Sequence, residues 1–146
     1  GFVAASLYAA IRIHEFPKLL EDVSDASMIS NHTLFRSLGL IIRDILPILN
    51  LNYHPISAKN LVFLFGCRLE LPEKIKLKAI DLLNETSKKG LNIIGKDPKG
   101  LAAAALYLVA RNTEFNKTQV EVADAARVTE VTIRSRIKDI KIFIDK

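Results

Sequence analysis

The sequence predicts an all-α protein: one complete five-helix unit preceded by an incomplete copy of the same unit. Three observations carry this. The apolar segments have helical rather than alternating spacing. Residues 1–47 align without a gap onto residues 100–146, an offset of 99, with 15 of the 47 pairs identical and most others apolar against apolar. Residues 100–111 are alanine-rich and apolar around most of the circumference, a pattern suited to a helix that others enclose. A period near one hundred residues is too long for a solenoid, so it implies two copies of one small domain. More than fifty residues separate the aligned segments and none precedes Gly1 in this sequence. The first copy is therefore expected to lack the helices that lead into its central one.

In chain order, the first copy is expected to contain helices over Gly1–Ile13, Leu19–Ser27 and Asn31–Leu46. On the last of these, Leu34, Leu38, Ile41 and Ile45 form the inward stripe. Pro47–Pro55, with Asn50, Asn52 and two prolines, reads as a connection, so the divisions are residues 1–46, a linker at 47–56, and a second domain at 57–146. That domain opens with a short apolar helix, Ser57–Phe65. Leu71-Pro72 starts the next, with proline at its first position, where a missing N–H costs nothing. Ile75, Ala79, Leu82, Leu83 and Thr86 then share one face, and Lys74, Lys78, Asp81 and Glu85 the other. Lys88-Lys89-Gly90 ends it, with cations at the negative end of the helix dipole and a glycine for a left-handed cap. Asp97 caps and Pro98 begins the central helix, Pro98–Arg111, on which Ala102, Ala105, Leu106 and Val109 should be inaccessible. Thr118 and Glu121 have capping-box spacing and open a short helix to about Ala126. Thr129 caps a last helix to about Ile144, with Ile133, Ile137, Ile140 and Ile144 inward.

Composition narrows function modestly. The chain is 49% apolar with a net charge of +5, and its pI of about 9.4 suits an anionic partner such as nucleic acid or an acidic protein surface. Cys67 is the only cysteine, which excludes an intramolecular disulfide and a cysteine-based zinc site. His14, His32 and His54 are scattered, so no metal site is expected. The apolar run Phe2–Ile11 is too short to span a bilayer. No nucleophile elbow, phosphate-cradling glycine loop or carboxylate pair stands out, so neither enzyme activity nor a cofactor is expected.

Residues 117–144 read as helix, three-residue turn and longer helix, the layout of a helix-turn-helix whose second helix can enter a DNA major groove. On that helix Val131, Arg134, Ser135 and Lys138 fall at i, i+3, i+4 and i+7 and face outward. Arginine can pair bidentately with guanine, and valine can pack on a thymine methyl. Two short helices and a turn are common in all-α domains, however, and outward Arg and Lys also serve as plain solvated surface. The first copy has His32, Phe35, Arg36 and Gly39 at the equivalent positions. Packing is retained there and the outward chemistry is not, which points to different partners. Lys88, Lys89, Lys96 and Lys99 lie near a helix start, where phosphate could bind or where a charged loop is simply solvated.

GKDPKGLAAAALYLVAR at residues 95–111, followed by KTQVEVADAARVTEVTIRSRIKDI at 117–140, resembles the end of the core domain of archaeal transcription factor B and eukaryotic transcription factor IIB. The first copy is similar to the end of that family's first cyclin-like repeat, so the resemblance covers the whole chain. It implies a complete cyclin-like repeat with a helix-turn-helix, after part of a first one. It also implies a general initiation factor that clamps the TATA-binding protein on promoter DNA and reads the element upstream of the TATA box. That reading would fall on Val131 and Arg134 with Thr132 nearby, and the DNA-binding set comprises Val131, Thr132, Arg134, Ser135, Lys138, Thr118 and Lys96. The family's zinc ribbon and reader segment are absent from this sequence, so recruitment of RNA polymerase would belong to a region outside it. Such a protein would work in the cytoplasm, at the nucleoid, if archaeal, or in the nucleus if eukaryotic. A cyclin-box scaffold that binds only protein is the alternative. Loss of cover over Phe2, Val3, Leu7 and Ile11 would favour self-association or docking of the first-copy helices onto the second repeat.

Overall fold

A computed structural model describes residues 1–92 and 96–145; Ile93, Ile94, Gly95 of the GKDPKG motif, and Lys146 lie outside the described residues. The helices are α1 (Phe2–Ile13), α2 (Leu20–Ser27), α3 (Asn31–Leu40), α4 (Ala58–Arg68), α5 (Glu73–Lys88), α6 (Pro98–Ala110), α7 (Gln119–Ala126) and α8 (Glu130–Ile144). The chain divides into two compact units, residues 1–56 and 57–146. No helix among the described residues is long and apolar enough to cross a membrane.

In the second unit α6 is the centre, packed against α4, α5, α7 and α8. Leu101 through Leu106 are all fully buried. Alanines at Ala102–Ala105 keep the helix slim, so its neighbours can approach from several sides. Asp97 caps it, its side chain accepting from the Lys99 N–H at 3.0 Å, and Pro98 occupies the first turn. Val109, the penultimate residue of α6, is half-buried rather than inaccessible. On α5 the buried residues are Ile75, Lys76, Ala79, Leu83 and Thr86. Leu82, expected on that face, is half-buried. Lys76 is a buried lysine that periodicity missed. Its stem crosses α4 at Gly66, where an added Cβ would lie 2.7 Å from Lys76 Cγ, and its ammonium is 3.2 Å from Cys67 Sγ. Pro72 stands just before α5 as its cap rather than inside it, and Gly90 has the expected positive φ, 112°.

The first unit repeats the last three helices of the second. Its α1 packs against α2 and α3, with Ala4, Ala5, Tyr8, Ala9, Leu34, Leu38 and Ile41 in the core. Two local devices recur at the 99-residue offset. Met28 and Arg127 both take left-handed backbone, with φ of 58° and 56°. Ser30 and Thr129 both cap the following helix, accepting from Thr33 N–H and Thr132 N–H at 3.2 Å each.

The inward stripe of α3 departs from expectation. After Leu40 the helix widens into a π-turn over Ile41–Ile45, where Leu46 N–H donates to Ile41 O at 2.9 Å, five residues back. The wider turn inserts one residue into the period. Leu46, 5% exposed, therefore takes the core position expected of Ile45, which is 41% exposed. Its counterpart Ile144 is also exposed; it ends α8, so no further turn follows to enclose it.

Arg12 is completely buried. Its Nε donates to His54 O at 3.0 Å and a terminal nitrogen donates to Phe16 O at 3.1 Å. The segment after α3 is thus pinned back onto α1, and the residues expected as a linker group with the first unit. Burial first, then neighbouring Tyr53, push the Tyr8 phenol up to about 12.

Two outcomes are expected. Leu7 and Leu106 are equivalent in sequence, yet Leu7 is 56% exposed and Leu106 fully buried. Leu106→Ala should cost about 2–5 kcal/mol in urea unfolding, and Leu7→Ala within about 0.5 kcal/mol of nothing. The phenol of Tyr8 titrates near 12 when folded against 10.0 as the reference, so its proton stabilises the fold below pH 10 and that contribution is lost as pH rises toward 12. Thermal melts from pH 9 to 12 should show a smaller alkaline loss for Tyr8→Phe than for the unaltered chain.

Candidate nucleic-acid interface

The site is built on α7, the turn Arg127–Thr129 and α8. Thr118 and Glu121 form the expected capping box: Thr118 Oγ1 accepts from Glu121 N–H at 3.1 Å, and Thr118 N–H donates to the Glu121 carboxylate at 2.7 Å. The Thr118 backbone and then its hydroxyl hold the Glu121 carboxyl below the usual carboxylate range. The first unit keeps only half of this device, because Leu19 stands at the Thr118 position; its N–H donates to Asp22 Oδ2 at 3.1 Å.

The orientation of α8 is set from below. Ile133, Ile137 and Ile140 are buried against a unit whose centre is α6. At the crossing, a Cβ added to Gly100 would lie 3.0 Å from both Thr132 Cγ2 and Arg136 Cγ. The equivalent Gly1 has the same relation to α3, where an added Cβ would lie 2.9 Å from Ser37 Oγ and 3.4 Å from Thr33 Cγ2. A glycine at this point lets the last helix of each unit sit directly on the central one.

On the opposite side of α8, Val131, Arg134 and Lys138 are exposed and Ser135 is half-buried. This is the outward stripe expected from spacing. Arg134 lies back along the helix, 3.2 Å from Glu130 Oε2. Both side chains are well solvated, so the pair is worth under about 1 kcal/mol and yields readily to another partner. Thr132 is half-buried and faces the other way: its hydroxyl lies 3.0 Å from that of Thr129, and its methyl meets Gly100. Thr118 is exposed but its hydroxyl serves the capping box. It lines a shallow depression of about 410 Å³ with Tyr107, Arg111, Asn116, Lys117 and Glu121. Lys96 is half-buried on the flank, its ammonium 3.2 Å from Asp139 Oδ2. Arg136 Nε lies 3.1 Å from the same oxygen.

Arg136 and Asp139 did not enter the sequence-based set. Their i, i+3 spacing is a legible sign of a pair, whereas the addition of Lys96 depends on tertiary packing. In the first unit the surface equivalent to the outward stripe carries His32, Phe35 and Arg36, all exposed, and Met28 is exposed as well. A groove of about 530 Å³ runs between α1 and α2, lined by Val3, Leu7, Ile11, Val23, Ala26 and Ile29 among others. Among the described residues no group of three His, Cys, Asp or Glu side chains could hold a metal ion.

The family model described as Transcription factor TFIIB repeat matches residues 52–142. The chain is 41% identical over 140 residues to Transcription initiation factor IIB 2 of Thermococcus kodakarensis, covering 96% of this chain and 44% of that protein. It is 43% identical over 145 residues to Transcription initiation factor IIB of Aeropyrum pernix, with 96% and 44% covered. Transcription initiation factor IIB of Methanococcus maripaludis is 37% identical over 145 residues, with 99% and 41% covered. The chain thus spans under half the length of these relatives, which are archaeal initiation factors and not enzymes. The all-helical fold, the cyclin-like arrangement around α6 and the match over 52–142 agree: the chain belongs to the TFIIB-repeat family.

Proposed function

We propose that the chain is the promoter-binding core of a general transcription initiation factor, and that its second unit reads duplex DNA by laying α8 in the major groove. The observation that carries this is the exposed row Val131, Arg134 and Lys138 on a helix whose cap and seating are both fixed. Arg134 pairs with a guanine edge, Val131 packs on a thymine methyl, and Ser135 and Lys138 face the sugar-phosphate backbone. Thr132 orients the start of α8 through its cap, and Thr118 and Lys96 flank the contact. The element upstream of the TATA box is the sequence read, and the TATA-binding protein is the protein partner on the same DNA.

The first unit takes a different role in this reading. Residues 1–46 are the C-terminal part of a first cyclin-like repeat, 47–56 connect it, and 57–146 are the second repeat. Exposed Phe35 at the Arg134 position and exposed Met28 suit a protein surface rather than base edges. Phe2, Val3 and Leu7 are exposed although Leu101, Ala102 and Leu106, their equivalents, are fully buried. That face needs cover from further helices or from a second copy of the chain. Recruitment of RNA polymerase rests with the part of the longer relatives that this chain does not span. In this reading the work is done at the nucleoid, and the archaeal source of the relatives supports it.

Gel shifts of the chain on a promoter duplex and on one with a scrambled upstream element, with and without TATA-binding protein, test the reading. Arg134→Ala should cost about 1–3 kcal/mol on the promoter duplex and much less on the scrambled one. Lys138→Ala should weaken both alike and lower the salt slope by about one unit. Equal losses on both duplexes for Arg134→Ala would move that residue to the backbone, and no binding to either would leave a scaffold that binds only protein.

A further inference from the structure

The cations along α8 are held in two different ways. Arg134 pairs with Glu130 on open surface, with side chains 51% and 43% exposed. Asp139 instead holds two cations in a sheltered place. Lys96 Nζ and Arg136 Nε lie 3.2 and 3.1 Å from its Oδ2, with Lys96 31%, Arg136 19% and Asp139 25% exposed. Arg136 Nε and Asp139 Oδ2 are sealed from water, and the N–H is out of line for a hydrogen bond. The attraction is therefore between charges where solvent and salt screen weakly. The stem of Arg136 is confined against Gly100, and its terminal nitrogen donates to Ser135 Oγ at 2.9 Å. One carboxylate thus anchors a cation from the segment before α6 and another from α8, on the flank of the outward stripe.

We propose that Asp139 is a specificity-determining residue that occupies Lys96 and Arg136 and so holds down the sequence-independent attraction of this face for DNA phosphates. The inference rests on the DNA-binding reading of α8. Every additional phosphate neutralised by Lys or Arg strengthens binding to any sequence. A carboxylate that engages two cations withholds them from that contribution and adds a negative charge of its own beside the duplex. Base readout by Arg134 and Val131 then decides where the protein stays. Loss of Asp139 therefore frees Arg136 as well as Lys96 for contacts that carry no sequence information.

The test is fluorescence-anisotropy titration of the 146-residue chain, unaltered and with Asp139→Asn, Lys96→Gln or both, on a promoter duplex and a scrambled one between 50 and 200 mM salt. Asp139→Asn should bind the scrambled duplex about five-fold tighter at the low-salt end, with a salt slope steeper by about one to two units. The ratio of promoter to scrambled affinity should fall. Lys96→Gln should cost more in the Asp139→Asn background than alone. Scrambled-duplex binding that is unchanged or weaker for a folded Asp139→Asn overturns the proposal. If that substitution unfolds the chain, Lys96→Gln alone decides: a slope reduced by the full unit of about 0.9 for one phosphate contact means that Asp139 withholds nothing, and a much smaller reduction supports the proposal. An unaltered chain that does not distinguish the two duplexes overturns the DNA reading and this proposal together, whereas discrimination without tightening by Asp139→Asn overturns the proposal alone.

Discussion

The structure of the second unit depends on how closely its last helix can approach its central one. Gly100 removes the Cβ that would press on Thr132 and Arg136, and the alanines that follow keep α6 narrow enough to be enclosed. Burial of Leu101–Leu106 on one side and of Ile133, Ile137 and Ile140 on the other follows from that approach. Because packed interiors deform little, the inward isoleucines fix the rotation of α8 about its axis. That rotation leaves Val131, Arg134 and Lys138 in solvent. The chemistry of the outward stripe is thus a consequence of the inward packing, not an independent feature of the surface.

The first unit shows the same constraint with different outcomes. Gly1 crosses α3 as Gly100 crosses α8, and the caps at Ser30 and Thr129 and the left-handed residues Met28 and Arg127 correspond one to one. What has changed lies outside this frame. Arg12 turns inward and pins residues 53–56 through His54 O, whereas the equivalent Arg111 is exposed. On the outward face Phe35 and Gly39 stand where Arg134 and Lys138 do, and Arg36 stands at the Ser135 position. Tyr8 keeps its place in the core, where burial and then neighbouring Tyr53 raise the pKa of its phenol. A fold that repeats its core while varying its surfaces can meet unlike partners with one architecture.

Much of this was legible in the sequence because the governing chemistry is local. Thr118 with Glu121, Thr129 and Asp97 announce helix starts within four residues, and an alanine-rich stretch without a polar face announces enclosure. The spacing of Val131, Arg134 and Lys138 fixed the outward stripe as soon as Ile133 and Ile137 were placed inward. Where the reading departed, a non-local cause intervened. Ile45 lost its core position to Leu46 because a π-turn interrupts the 3.6-residue period, and nothing in IIRDI signals it. Ile144 satisfies the period but lies beyond the last enclosing turn. Lys76 is buried only because Gly66 on another helix makes room for its stem. The pairing of Lys96 with Asp139 joins residues 43 positions apart (139 − 96), which no local pattern encodes.

Native-state hydrogen exchange tests the central claim, that α6 and α8 form one packed element and that the recognition face is rigid because of it. The amides of Leu106 on α6 and of Ile137 and Ile140 on α8 should exchange only through the same global opening, with equal free energies and equal dependence on denaturant. Amides of α1 around Leu7 should exchange through an opening of lower free energy. Exchange of the α8 amides through a separate, easier opening while α6 stays protected would contradict the account, because the outward stripe would then not be fixed by the packing beneath it.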